Sequence, residues 1–336
     1  MKHREKKSVF SFTIAAVAAL SIVLLIGLIL GSCGGDMVTT ATETDGDQIF
    51  KTESDSSLLR SGEIIDISSK EPELVFQHML LHETVEIEDM AVDVANQAIY
   101  FSQEYGITNY QPLNSDIIIT QVERNDGAWT RESYMRFYQS GEGYFDVEEG
   151  ALWIESSGTY AGIGRTISYI SWQDEGFVQN TYGKTYDIGE LRGSKLAVDF
   201  ENQRIAVYDS KNKQYLIYDS SALVEGISNA HIHLVSCEKD QEPVKGNDDS
   251  NGTYHMSVTG FAFADGYIYQ LSGNHSQMYV SVFDLNGQLQ YCKEIKLQEH
   301  MKHYCMPAAI AVEDGELYVC IQSTDGSCYY ANVWKY

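Results

Sequence analysis

Five times along the chain an apolar run stops at a tight polar corner and resumes as a second apolar run: MAVDVANQAIYFS, YFDVEEGALWIES, LAVDFENQRIAVYDS, FAFADGYIYQL and IAVEDGELYVCIQ. The second corner residues are Gln97, Gly150, Gln203, Gly266 and Gly315, at intervals of 53, 53, 63 and 49 residues. The long interval holds the polar insertion CEKDQEPVKGNDDSNGT, residues 237–253, which accounts for the excess. Asp-Gly, Glu-Gly and Asn-Gln at these corners read as hairpin turns, because Gly and Asn tolerate the positive φ that short turns demand. A period near 50 leaves room for two further strands per unit, such as DIIITQVER and WTRESYMRFY after the first hairpin, or KQYLIYDSS and HIHLVS after the third. Four antiparallel strands repeated five times predict an all-β chain, a five-bladed β-propeller of four-stranded antiparallel blades.

Such a wheel must close. The last hairpin is followed only by CYYANVWKY, which makes three strands, while ELVFQHML at residues 73–80 stands alone before the first hairpin. The amino-terminal strand is therefore expected to complete the final blade, removing two free sheet edges.

Ahead of the repeats lies a different kind of sequence. Lys2, Arg4, Lys6 and Lys7 precede an uncharged apolar run from Val9 to Leu30. In a helix a run of that length reaches roughly 33 Å, enough to cross a hydrocarbon core with its basic end in the cytoplasm. Leu30-Gly31-Ser32-Cys33 then resembles a lipobox, in which a small residue admits the peptidase and the thiol accepts a diacylglycerol. Residues 1–32 are expected to be a lipoprotein signal peptide or an uncleaved membrane anchor, with Cys33 the lipidation site (palmitate-type acyl chains). Residues 33–62, rich in Thr, Ser, Asp, Glu and Gly, read as a flexible tether, and 63–336 as the propeller domain. The address expected for that domain is the extracytoplasmic side of the cell membrane.

Charge narrows the partners. With 23 Lys plus Arg against 48 Asp plus Glu, the formal net charge is −25, which argues against nucleic acid and against a bare polyphosphate. A neutral glycan, a cationic partner or a protein surface fits better. In a propeller the tight corners lie on one face, and the loops entering the inner strands lie on the other. The loops of that second face carry Tyr105, Asn109, Tyr110, Tyr144, Tyr160, His255, Asn274, His275, His303 and Tyr304. Apolar sugar faces stack on aromatic rings and hydroxyls pair with amides, so these are the candidate ligand-binding residues. Against this stands the plain preference of Tyr for strands and their ends.

Other signals are sparser. Asn247, Asp249 and Asn251 have the N-x-D-x-N-G spacing of a calcium loop, but Val258 stands where its bidentate Glu would be, so a solvated insertion is the alternative and no resident cofactor is expected. His231 and His233 alternate on one strand face without a third ligand nearby in sequence. The linear signatures of a serine-hydrolase elbow, a zinc-protease helix, a phosphate loop and a C-x-x-C pair are absent, so no catalytic residues are assigned. Cys320 and Cys328 flank IQSTDGS and are the candidate disulfide.

The segments FAFADGYIYQLSGNHSQMYVSVFDLNGQLQYCKEI and MPAAIAVEDGELYVCIQSTDGSCYYANVWKY resemble the five-bladed propeller of phage receptor-binding proteins, teichoic acid biosynthesis protein C-like proteins and helveticin-type bacteriocins. The similarity runs from about residue 73 to the end. It implies binding to a cell-envelope glycan or glycopolymer, or to a surface protein, by a domain without an established catalytic set. An envelope enzyme acting on a carbohydrate and a scaffolding protein are the two other classes. The chain departs from the family pattern where Gly141-Glu142-Gly143 replaces Gly-His-Gly and Pro307-Ala308-Ala309 replaces Pro-Glu-Gly. Contacts that relatives make through those two side chains do not carry over.

Overall fold

The computed structural model describes residues 62–79, 86–105, 116–125, 128–137, 145–148, 151–155, 165–171, 184–189, 195–209, 212–237, 258–297, 301, 304–326 and 328–336. Among the described residues four sheets are built in chain order. The first holds β2 (Ile87–Asp93), β3 (Ala98–Tyr105), β4 (Asp116–Asn125) and β5 (Ala128–Phe137), while the strand β1 that precedes them in the chain joins the last sheet. The second holds β6 (Phe145–Glu148), β7 (Ala151–Glu155), β8 (Arg165–Ser171) and β9 (Lys184–Gly189). The third holds β10 (Leu196–Asp199), β11 (Arg204–Asp209), β12 (Gln214–Asp219) and β13 (His233–Ser236), with the short helix α1 (Ser220–Glu225) before its last strand. The fourth holds β14 (Val258–Ala264), β15 (Tyr267–Gly273), β16 (Met278–Asp284) and β17 (Leu289–Ile295). The last combines β18 (Tyr304–Glu313), β19 (Glu316–Thr324) and β20 (Tyr329–Lys335) with β1 (Glu73–Met79) as its outer strand.

All five sheets are four-stranded and antiparallel, and every strand pairs with its neighbours in simple meander order. The first strands of the meanders, β2, β6, β10, β14 and β18, touch one another in a closed cycle. The chain is thus an all-β propeller with four-stranded antiparallel blades. Closure follows the expected route. β1 pairs with β20 from Glu73↔Lys335 to Met79↔Tyr330, so the two ends of the chain share one sheet.

The corners explain why the repeat folds this way. Asp265 and Gly266 have φ of 53° and 75°, and Asp314 and Gly315 have 51° and 69°, the two positive values that a type I′ turn requires. The Asn-Gln corners work differently from the sequence expectation. It is Gln97 (φ 52°) and Gln203 (φ 54°) that enter the left-handed region, while the Asn holds the turn. Asn96 N donates to Asp93 Oδ1 at 3.0 Å and Asn202 N to Asp199 Oδ1 at 3.0 Å, with each Asn amide also bonded to the same carboxylate. These bonds satisfy backbone donors that a four-residue loop would leave idle. A further copy, Asp209 with Asn212, shapes the β11–β12 corner. The Glu149-Gly150 corner lies outside the described residues.

The aromatic residue that recurs in the second strand of a repeat is core. Tyr100, Trp153, Tyr269 and Tyr318 are all buried. The hydroxyls find partners where the packing needs them: Tyr269 Oη accepts from Ile65 N at 3.1 Å, and Tyr291 Oη donates to Ile65 O at 2.6 Å. Ile65 and Ile67 are buried against the fourth and last sheets, so the packed part of the chain reaches back to the residues before β1.

The expected Cys320–Cys328 bridge is not formed. β19 and β20 run on to the pair Thr324↔Tyr329, which sets Cys320 opposite Val333 and leaves Cys328 beyond the strand end. Cys328 is five residues from Val333, an offset along the sheet of about 17 Å at roughly 3.3 Å per residue, more than twice the reach of a disulfide. Cys320 is buried, and that burial pushes its thiol up to about 12.

Candidate functional site

Three inner strands begin with a register irregularity: between Ile87 and Asp89 in β2, between Val258 and Gly260 in β14, and between Pro307 and Ala309 in β18. A bulge re-aims the extra side chain. The three extra residues, Glu88, Thr259 and Ala308, all line a cavity of about 210 Å³ at the end of the wheel where the inner strands start. Lys195, just ahead of β10, completes the ring around this mouth, with Glu86, Met306 and Gln322 on its wall. Below the mouth the axis narrows to about 10 Å³ between residues of all five inner strands, including Phe261, Phe263, Leu196 and Val92. That is space for about one water.

Carboxylates tie the inner strands together under this opening. Asp89 on β2 accepts from Met90 N at 2.9 Å and from Phe145 N of β6 at 3.2 Å. Asp146 on β6 accepts from Val198 N of β10 at 2.8 Å. Burial holds the Asp89 carboxyl up at about 7, against the pull of Lys195 and of the two N–H groups. The seam between the last and first blades is closed by Gln322 on β19, whose Oε1 accepts from Ile87 N at 2.6 Å.

A second cavity of about 180 Å³ adjoins the first and shares Glu86, Met306 and Gln322 with it. Its other walls are Tyr304, Tyr329, Ser323 and Thr324. Tyr304 is 53% exposed, an unusual position for so large a ring, and His275 stacks on it at 5.1 Å with an interplanar angle of 29°. The Tyr329 hydroxyl donates to Glu86 Oε1 at 3.4 Å. Partial burial and then the Glu86 charge push the Tyr329 phenol upward, so it keeps the proton it donates.

Of the residues expected from sequence, His275 and Tyr304 come together at this place. Asn274 Oδ1 accepts from Ser276 N at 2.8 Å and Gln277 N at 3.2 Å, holding its own loop. Tyr105 ends β3. Asn109, Tyr110, Tyr144, Tyr160, His255, His303, the insertion carrying Asn247, Asp249 and Asn251, and Cys33 with the apolar leader all lie outside the described residues. His231 and His233 do not converge on a metal. His231 lies edge-on to Tyr218 at 6.3 Å, and His233 Nε2 is 2.7 Å from Leu285 O. Among the described residues no group of three or more His, Cys, Asp or Glu is placed to hold a metal ion. Glu86, Met306, Gln322 and Tyr329 were not expected. The signal that finds them is register: Met306 pairs with Gln322, and Tyr304 with Thr324, at the mouth end of the sheet.

No family model matches the chain, and no curated protein matches it in sequence. Solved structures do match in fold. The tail fibre of Staphylococcus aureus phage P68 superposes with a TM-score of 0.57 at 13% identity, over 79% of this chain and 52% of the fibre chain. This chain therefore spans about half the length of that protein. Weaker likenesses are regucalcin, a calcium-binding protein from Agrobacterium tumefaciens (TM-score 0.39, 11% identity, 75% of this chain and 92% of that one), and a GH43_1 enzyme from Xanthomonas citri (0.44, 8%, 78% and 89%).

Proposed function

We propose that the chain is an exported, lipid-anchored, five-bladed propeller that binds cell-envelope glycan at the mouth of the wheel. The observation that carries this reading is the aromatic-walled cavity: an exposed Tyr304, backed by His275, shares a sugar-sized space with Tyr329. Aromatic faces take up the apolar faces of pyranose rings, and Glu86, Gln322, Ser323 and Thr324 supply acceptors and donors for hydroxyls. Among the described residues the axis is constricted, which favours the mouth as the surface for capture.

Removing the Tyr304 ring is expected to reduce retention of the full chain on purified envelope polysaccharide by about tenfold, a typical cost for a stacking anchor. Because Tyr304 is exposed, Tyr304→Ala should leave the melting temperature unchanged. A wild-type protein that is retained by no envelope polymer would overturn the reading. The anchor is tested separately. Cys33→Ala is expected to abolish incorporation of labelled palmitate and to move the protein out of the lipid-modified fraction; unchanged labelling would place the lipid elsewhere.

A further inference from the structure

We infer that the glycosyl unit held between Tyr304 and Tyr329 carries a free primary ammonium, with Glu86 as its anionic partner and the Gln322 amide as a hydroxyl-selecting donor. This rests on the glycan reading above and narrows it.

Gln322 supplies the first observation. Its side chain is on the wall of both cavities yet only 4% exposed, and its Oε1 is committed to Ile87 N at 2.6 Å. An N–H can be answered only by the oxygen, so the amide orientation is fixed and Nε2 is turned the other way. Nε2 donates to no group among the described residues. An amide held in one orientation, with N–H groups that face a cavity and have no protein partner, is a donor that a ligand oxygen can take.

Glu86 supplies the second, because among the described residues it is the one charged side chain on the wall of the aromatic cavity. A carboxylate has about four lone-pair positions, of which the Tyr329 hydroxyl takes one. An anionic sugar would be repelled at contact, and a neutral one answers the carboxylate with hydroxyl hydrogen bonds but brings no opposite charge. An ammonium on the ring answers the charge with a charge-assisted hydrogen bond and lies beside two tyrosine rings whose π faces attract cations. Lys195 lines the neighbouring cavity and is not on the wall of this one. The net charge of −25 adds a long-range field of the same sign, which draws cations toward the domain.

The test uses the full chain in non-ionic detergent, titrated calorimetrically with a β-1,4-linked glucosamine disaccharide, with its di-N-acetyl counterpart, and with methylammonium. The amino disaccharide is expected to bind about tenfold more tightly than the acetylated one, and its affinity alone to fall with added salt. Glu86→Gln, at an exposed position, should erase that preference by weakening the amino sugar about tenfold while leaving the acetylated sugar unchanged. Gln322→Met should weaken both sugars alike; if that variant does not fold, Glu86→Gln still decides. Equal or tighter binding of the acetylated sugar, a preference that survives Glu86→Gln, or methylammonium competing as well as the amino sugar each overturns the inference and leaves the glycan reading standing. Binding of neither sugar overturns the inference, and retention on no envelope polymer overturns the glycan reading beneath it.

Discussion

Phe76→Ala is expected to destabilise the protein by about 3–5 kcal/mol, the usual cost of emptying a well-packed aromatic site. Phe76 is 2% exposed on β1, the strand that the amino-terminal end lends to the last blade. Its ring stacks on Phe101 at 5.3 Å and meets Trp129 edge-on at 5.5 Å, both from the first blade. Trp129 Nε1 in turn donates to Val75 O at 2.8 Å. One side chain thus joins the final sheet to the first across the seam where the wheel closes. Leu74, on the same strand but 40% exposed, is the control, and Leu74→Ala should cost under about 1 kcal/mol. Urea unfolding of the two variants checks this. Equal midpoints would mean that β1 is an ornament on an already complete blade.

The seam was legible in the sequence because an unpaired strand at one end and a three-stranded blade at the other leave a wheel one solution. The I′ corners were legible for a similar reason, since Asp-Gly between alternating apolar runs admits few backbones. Three things were hidden. At Asn96 and Asn202 the amide was read as the residue with positive φ, whereas the Asp three positions earlier captures it and the Gln takes the strain. The length of the loop between Cys320 and Cys328 suggests adjacency, but the strands extend nearly to Cys328 and carry Cys320 into the core. The floor of the mouth was the largest loss. Gln322 reads in sequence as one more residue of an inner hairpin. Only the pairing Met306↔Gln322 and the neighbouring first blade bring its amide to Ile87 and to the cavity. Loops advertise a site by composition, while a strand residue at a bulge does so only through register.

The second large effect is a pH dependence centred on Asp89. Burial is the leading cause of its raised pKa, about 7, and neither the Lys195 charge nor the N–H groups of Met90 and Phe145 bring it back to the ordinary carboxylate range. The sign follows from linkage. In the unfolded chain the group titrates near the ordinary carboxylate value of 3.8, so between that value and about 7 the folded protein binds more protons than the unfolded one. The favourable contribution of Asp89 is therefore complete below about pH 4, declines as pH rises through 7, and is constant above. Asp89→Asn carries no charge to desolvate, but it replaces an acceptor by a donor next to two backbone N–H groups. The variant is expected to be the less stable protein at pH 4.5 and the more stable one at pH 8.5. The difference between the two should swing by on the order of a few kcal/mol across that range. Because every other titrating group is shared, urea midpoints of wild type and variant measured side by side isolate this carboxyl. Parallel curves over the whole range would show that Asp89 ionises as freely in the folded wheel as in the unfolded chain, and that the carboxylate ties beneath the mouth carry no desolvation cost.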